Sequence, residues 1–203
     1  MIGWLEGSLR HKQPTQVVVD VNGVGYELAI PLSTFAELPD LGKTIAFHVH
    51  THVREDAFQL FGFLGAHERA VFELMLRASR VGPKLAQTIL SGISARDLLQ
   101  AICAGELRVL RGVPGIGPKM AERIVVELRE RAAELASSVV LESMPGAAPE
   151  PEVSPRDQVL SALTNLGYPR AQADRVVEAA ASEAGAEASI EDWIRIALRR
   201  LAR

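Results

Sequence analysis

The segment Gly115-Ile116-Gly117-Pro118-Lys119 carries chemistry that can be argued from residue types alone. Two glycines permit the positive φ angles of a tight hairpin and let another backbone come close. Proline at the first helical position gives up an N–H that the helix would not have used. The next amides, of Lys119 and Met120, then point out from a helix start. With the positive end of the helix dipole they form a seat for a phosphate. Lys119 adds a mobile charge, and Arg123, one turn later, shares its face. The hairpin occurs twice. Val81-Gly82-Pro83-Lys84-Leu85-Ala86 matches Ile116-Gly117-Pro118-Lys119-Met120-Ala121 at an offset of 35 positions, with Ile89 and Ile124 in the same register. Nothing in either copy is suited to reading base edges, so the pair would grip a nucleic-acid backbone without regard to sequence. One copy alone could equally be a helix–helix turn with solvated lysines. Two copies in one basic segment favour the phosphate reading.

Other groups carry less. Glu55 and Asp56 could serve acid/base or metal chemistry, yet two neighbouring carboxylates without further ligands rarely suffice, and a polar turn is the plainer reading. His48, His50 and His52 alternate along one strand and share a face. A metal could use two of them, but no accompanying acid or thiol pattern supports it, so a solvated barrel face is expected. The single cysteine, Cys103, excludes an internal disulfide and reads as a small buried helix residue. Trp193 and Tyr168 are expected in a core or facing a partner, not stacking on bases. The chain contains no Gly-x-x-x-x-Gly-Lys-Ser/Thr loop, His-Glu-x-x-His or Gly-x-Ser-x-Gly. No catalytic residue, metal or cofactor is therefore expected. A helix–hairpin–helix nuclease would have only Glu55 and Asp56 as its foothold.

These residues need elements to position them. The 203 residues, 48% apolar and 23% charged, suit a globular chain, and no apolar run reaches the roughly 18–20 residues of a membrane span. The start, MIGWLEGSLRHK, lacks the pattern of a signal peptide, so a cytoplasmic protein without a membrane partner is expected. Charge is segmental. Residues 1–63 hold four basic and seven acidic side chains, residues 64–141 eleven and eight, and residues 142–203 seven and ten. One basic surface between acidic ones steers a polyanion rather than coating it. Strand patterns at 2–9, 15–21, 26–30, 43–53 and 57–63, with Asn22-Gly23 as a hairpin turn, predict a five-stranded antiparallel barrel of the OB type over residues 1–63.

Helical periodicity begins at Ala66 and predicts about five helices joined by short loops, a tandem helix–hairpin–helix segment over residues 64–135. Residues 136–153 read as a flexible linker from their Pro, Gly, Ser and Glu content. Ser154 and Ser189, each three residues before an Asp, open helices of a three-helix bundle over residues 154–203. Its expected core is Val159, Leu160, Leu163, Leu166, Val176, Val177, Trp193, Ile194, Ala197 and Leu201. The fold class is α+β and multidomain.

The start MIGWLEG, the Arg54-Glu55-Asp56 turn before Gln59-Leu60-Phe61-Gly62-Phe63, the paired hairpins and the linked C-terminal bundle together resemble the RuvA family of bacterial Holliday-junction-binding proteins. The resemblance spans essentially the whole chain. It implies sequence-independent binding of four-way junction DNA, held open and square-planar by a tetramer or a doubled octamer. It implies a UBA-like C-terminal bundle, residues 154–203, that engages the RuvB motor ATPase. A larger assembly with the RuvC resolvase follows from it too, serving branch migration in recombination, DNA-damage repair and the SOS response. It agrees with the backbone contacts read from the hairpins, at Gly82, Lys84, Gly115, Gly117, Lys119 and Arg123, and assigns an acidic pin to Glu55 and Asp56; weaker backbone contacts are expected from Arg80 and Arg54. Catalysis would belong to the motor and not to this chain. One residue departs from the family. Arg80 stands where members usually carry glycine, so it must avoid positive φ or accept strain of about 1 kcal/mol.

Overall fold

The computed structural model describes residues 1–55, 57–142, 154–184 and 189–201. Five strands come first: β1 (Trp4–Gln13), β2 (Gln16–Val21), β3 (Val24–Ala29), β4 (Thr44–Val53) and β5 (Phe58–Phe63). They close a barrel in the order β1-β2-β3-β5-β4, with β4 returning to β1, the OB arrangement. The β2–β3 turn is set by Asn22 and Gly23, whose φ values of 52° and 89° make the left-handed pair that hairpin twist favours. Asp20 pairs with Arg10 and accepts the Gly23 amide at 2.7 Å, and these bonds, that of Arg10 first, hold its carboxyl below its ordinary value.

The expectation of wholly antiparallel pairing needs one correction: β3 and β5 run parallel through Leu28↔Leu60 and Ala29↔Phe61. Direction forces this. β1 and β3 run one way and β4 runs against β1, so β5, the hairpin partner of β4, must run with β3. A short helix, α1 (Leu32–Ala36), joins β3 to β4, where the sequence pattern gave no sign of one. Inside, Ile45, Phe47 and Val49 alternate inward along β4 and meet Leu5, Leu9, Val17, Val19 and Leu28. The inward Thr51 satisfies its hydroxyl on Ile2, accepting the amide at 2.9 Å and donating to the carbonyl at 2.8 Å.

Five helices follow: α2 (Ala66–Met75), α3 (Pro83–Gly92), α4 (Ala95–Ala104), α5 (Leu107–Arg111) and α6 (Pro118–Glu142). Ser94 caps α4 by accepting the Asp97 amide at 3.1 Å, and Gly105, at φ 77°, ends it. The helical core does not stop at the barrel. Phe61 and Phe63 of β5 belong to it, with Phe72 of α2 at 5.1 and 4.9 Å from their ring centres. Gln87 of α3 donates to the Ile30 carbonyl at 2.6 Å, and Ser33 to the Leu90 carbonyl at 3.0 Å. Barrel and helices therefore form one compact unit, Met1–Leu141. Cys103 lies on α4, partly buried against this core.

The first residues of the expected linker, 136–142, are helical: α6 continues through them, and no proline or glycine interrupts it before Pro145. Residues 143–153 of that linker lie outside the described residues. The second unit holds α7 (Pro155–Asn165), α8 (Arg170–Ala184) and α9 (Ile190–Leu201). Ser154 and Ser189 accept the amides of Asp157 and Asp192, each at 3.2 Å. Val159, Leu160, Leu163, Val177 and Ala197 form its core with Ala173 and Ala180, and Tyr168, Val176, Trp193, Ile194 and Leu201 pack around it. Leu166 corrects the expected core. It sits at the C-cap of α7 just before Gly167 (φ 93°), where the chain turns away, and is 63% exposed.

Because Phe72 fills the space between two barrel rings and the helical core, Phe72→Ala is expected to cost about 3–5 kcal/mol. Urea unfolding of the chain should show it as a lower midpoint for the barrel–helix unit.

Candidate nucleic-acid interface

The two hairpins share a pair of hydrogen bonds at the offset of the repeat. In the first, Val81 donates to the Ala78 carbonyl at 3.1 Å and Ala86 to Gly82 at 3.0 Å. In the second, Ile116 donates to Val113 at 3.1 Å and Ala121 to Gly117 at 3.0 Å. Val81 and Ile116 are buried and anchor each turn in the shared core. The left-handed position is also repeated, with Arg80 at φ 67° and Gly115 at φ 91°. Arg80 thus takes the positive φ and its strain, of order 1 kcal/mol.

The other two glycines have a different reason to be there. Gly82 and Gly117 do not have positive φ, and a Cβ added at either would meet nothing within 4 Å. Neither backbone strain nor internal packing demands glycine at these positions. Each leaves open space at the start of a helix, α3 or α6, behind a first-turn proline. Among the described residues, the amides of Lys84 and Lys119 donate to no backbone carbonyl, and both ammonium groups are exposed without an ion pair. The expected pair of free amides in the second hairpin is reduced to one, because Met120 donates to the Gly117 carbonyl at 3.1 Å.

Gly115 lies against Leu85 of α3, so the hairpins are neighbours. Arg123, half-buried on α6, has its Nε 4.0 Å from Glu127 Oε1. Glu127 Oε2 in turn accepts the amide of Ser79 in the first hairpin at 2.7 Å. Sequence reasoning missed Glu127, because its partner is 48 positions away and no local motif marks the pair.

Arg54 and Glu55 occupy the turn between β4 and β5, closed by the Arg54 amide donating to the Ala57 carbonyl at 2.8 Å; Asp56 lies outside the described residues. Among the described residues no hydrogen bond or ion pair ties this turn to either hairpin. The Arg54 guanidinium instead donates to His52 Nε2 at 2.9 Å, which requires that nitrogen to be unprotonated. The histidine face is not simply solvated, contrary to expectation. His50 Nδ1 lies 3.1 Å from Glu73 Oε1 of α2 and its ring 5.3 Å from Phe72, while His48 meets Trp4 edge-on at 4.8 Å. Burial, then the charge of Arg69, pulls the His48 pKa down; burial, then Arg54, does the same to His52. Among the described residues, no group of three or more His, Cys, Asp or Glu is placed to hold a metal ion, and no helix is long and apolar enough to cross a membrane.

These features define a class: an OB barrel fused through a shared core to a tandem helix–hairpin–helix unit, with a small helical bundle beyond it. Residues 1–62 match the family described as the RuvA N terminal domain, residues 72–130 the SAM-like helix-hairpin-helix tandem, and residues 154–202 the RuvA C-terminal domain. The chain is 46% identical to a protein of Pelobacter propionicus over the full length of both, and 46% identical to one of Geobacter metallireducens over 99% of each. It is 47% identical to one of Solibacter usitatus over 98% of each. All three are named Holliday junction branch migration complex subunit RuvA. The chain belongs to the RuvA family.

The two lowered imidazole pKa values set a pH dependence. The unfolded chain takes up protons at His48 and His52 near 6.5, before the folded chain does, so their contribution to stability is complete above that pH and is lost as pH falls below it. Thermal denaturation between pH 7.5 and 5.0 should show the loss, and His48→Gln with His52→Gln should flatten it.

Proposed function

We propose that the chain binds four-way DNA junctions through their backbones, without regard to sequence, as the non-catalytic DNA-binding subunit of a branch-migration complex. The observation that carries this reading is the duplicated hairpin. Two helix starts lie side by side, each with an unoccupied amide, an unpaired lysine and a glycine whose only evident use is close approach from outside. A helix N-terminus at an exposed site is worth about 0.3–1 kcal/mol to an anion, so one hairpin holds a phosphate weakly. Repetition supplies the rest. A fourfold assembly engages several arms at once, and the linked seats reinforce one another without any new chemistry.

Selectivity for a junction over a duplex comes from the same repetition, since a linear duplex meets fewer of the seats. In this assembly the β4–β5 turns converge at the centre, where Glu55 and Asp56 of each copy face crossing phosphates. Within a Debye length of about 8 Å such repulsion is weakly screened, so the pin keeps strands from lodging and favours an open, square-planar junction. The C-terminal bundle, residues 154–203, recruits the RuvB ATPase, which supplies the work. Association with RuvC and the choice between tetramer and octamer belong to the same proposal.

A gel-shift comparison should give tighter binding to a four-way junction than to a duplex of the same sequence, with affinity falling steeply with salt. Lys84→Ala with Lys119→Ala is expected to weaken binding to all sequences alike and to reduce the salt slope by about one for each phosphate no longer held. Equal affinity for junction and duplex, or full retention by the double variant, overturns the reading.

A further inference from the structure

Two phosphate seats act together only if their spacing is fixed, and along the chain they are separated by α3, α4 and α5. One side chain crosses the gap directly. Glu127, in the third turn of α6, holds the Ser79 amide at 2.7 Å with one carboxylate oxygen and lies 4.0 Å from Arg123 with the other. Ser79 immediately precedes Arg80, which at φ 67° has the left-handed backbone that glycine adopts freely and arginine resists. The Glu127 side chain is 32% exposed, so its carboxylate is not there to fill a core.

Charge alone makes its position unfavourable. A carboxylate beside Arg123, on a face read as a phosphate seat, repels the ligand and competes for the guanidinium. We infer that Glu127 is a positioning residue: it clamps the first hairpin to the helix of the second and holds the backbone next to Arg80 in the left-handed turn. The inference rests on the hairpins being phosphate seats, although the clamp itself is a property of the free protein. The two roles open to Glu127 differ in sign. A carboxylate that merely repels phosphate strengthens binding when removed, whereas a clamp weakens it.

The test uses the full-length chain with Glu127→Ala, Glu127→Gln and Glu127→Asp. Glutamine keeps a carbonyl oxygen that can accept the Ser79 amide without the charge; aspartate keeps the charge and is one methylene short of reaching it. Two quantities are read: hydrogen exchange of the Ser79 amide in the free protein, and affinity for a synthetic four-way junction. Glu127→Ala and Glu127→Asp should speed Ser79 exchange and weaken junction binding about tenfold, the scale of one charge-assisted hydrogen bond. Melting temperature should fall by no more than several degrees, the scale of one hydrogen bond. Glu127→Gln should restore both quantities. In an Arg80→Gly background the loss from Glu127→Ala should shrink, because glycine holds the turn without the clamp.

Unchanged or tighter junction binding in Glu127→Ala, with Ser79 exchange unaltered, overturns the inference and leaves the junction reading intact. A native protein that binds junction and duplex equally sinks the junction reading instead, and Ser79 exchange still decides whether Glu127 clamps the hairpin. Should the alanine variant fail to fold, the aspartate and glutamine variants carry the same contrast.

Discussion

From Leu60 to Phe63, strand β5 is buried on both faces, and the geometry of the barrel–helix unit follows from that. Leu60 and Gly62 point into the barrel, where a Cβ on Gly62 would come within 2.9 Å of Leu28; Phe61 and Phe63 point the other way, into the helices. Phe72 closes over these two rings, and each such buried side chain contributes about 1.5–3 kcal/mol. A strand with one wet face would leave the barrel joined to the helical segment chiefly by polar contacts such as Gln87–Ile30 and Ser33–Leu90. Shared burial makes them one body and gives the hairpins a fixed platform.

On that platform the duplication has its effect. The repeated turns present two helix starts side by side, and the hydrogen bonds that shape them recur at the same offset as the residues. They are not equivalent in cost. Gly115 takes its left-handed angle without strain, while Arg80 carries about 1 kcal/mol that its surroundings must hold. The Glu127–Ser79 bond lies where that strain would otherwise relax. A small local penalty and a longer-range tether thus occur together, a pattern expected where geometry matters more than stability.

Charge is arranged with similar economy. The barrel is net acidic, the C-terminal bundle of residues 154–203 is balanced at seven acidic and seven basic side chains, and the helical segment between them is net basic, so attraction is confined to the part that carries the hairpins. Exposed ion pairs on this protein, such as Arg10–Asp20 and Arg200–Glu183, are screened by water and do not hold the fold. Their role is local. Arg10 and the Gly23 amide keep Asp20 ionised at the β2–β3 turn, and Arg54 is steered by a neutral His52 beside the β4–β5 turn.

Much of this was legible in the sequence, because local chemistry decided it. Asn22-Gly23 can hardly be anything but a hairpin turn, Ser-x-x-Asp at 154 and 189 caps helices through its own side chains, and the 35-residue repeat shows two like turns before any contact is known. The same holds for the lysines, which stay exposed wherever the helices pack. Tertiary structure decided what depends on residues far apart. The parallel β3–β5 pair follows from how the barrel closes, the double burial of β5 from the helices laid over it, and the partners of His50 from α2. Composition could not place Leu166 outside its core, since only the direction of the chain after Gly167 puts it there. Glu127 is the clearest case. As a letter it is one more acid on a solvated helix face, and only folding brings it to an amide 48 positions away, because hydrogen bonds between distant segments leave no periodic trace in the chain.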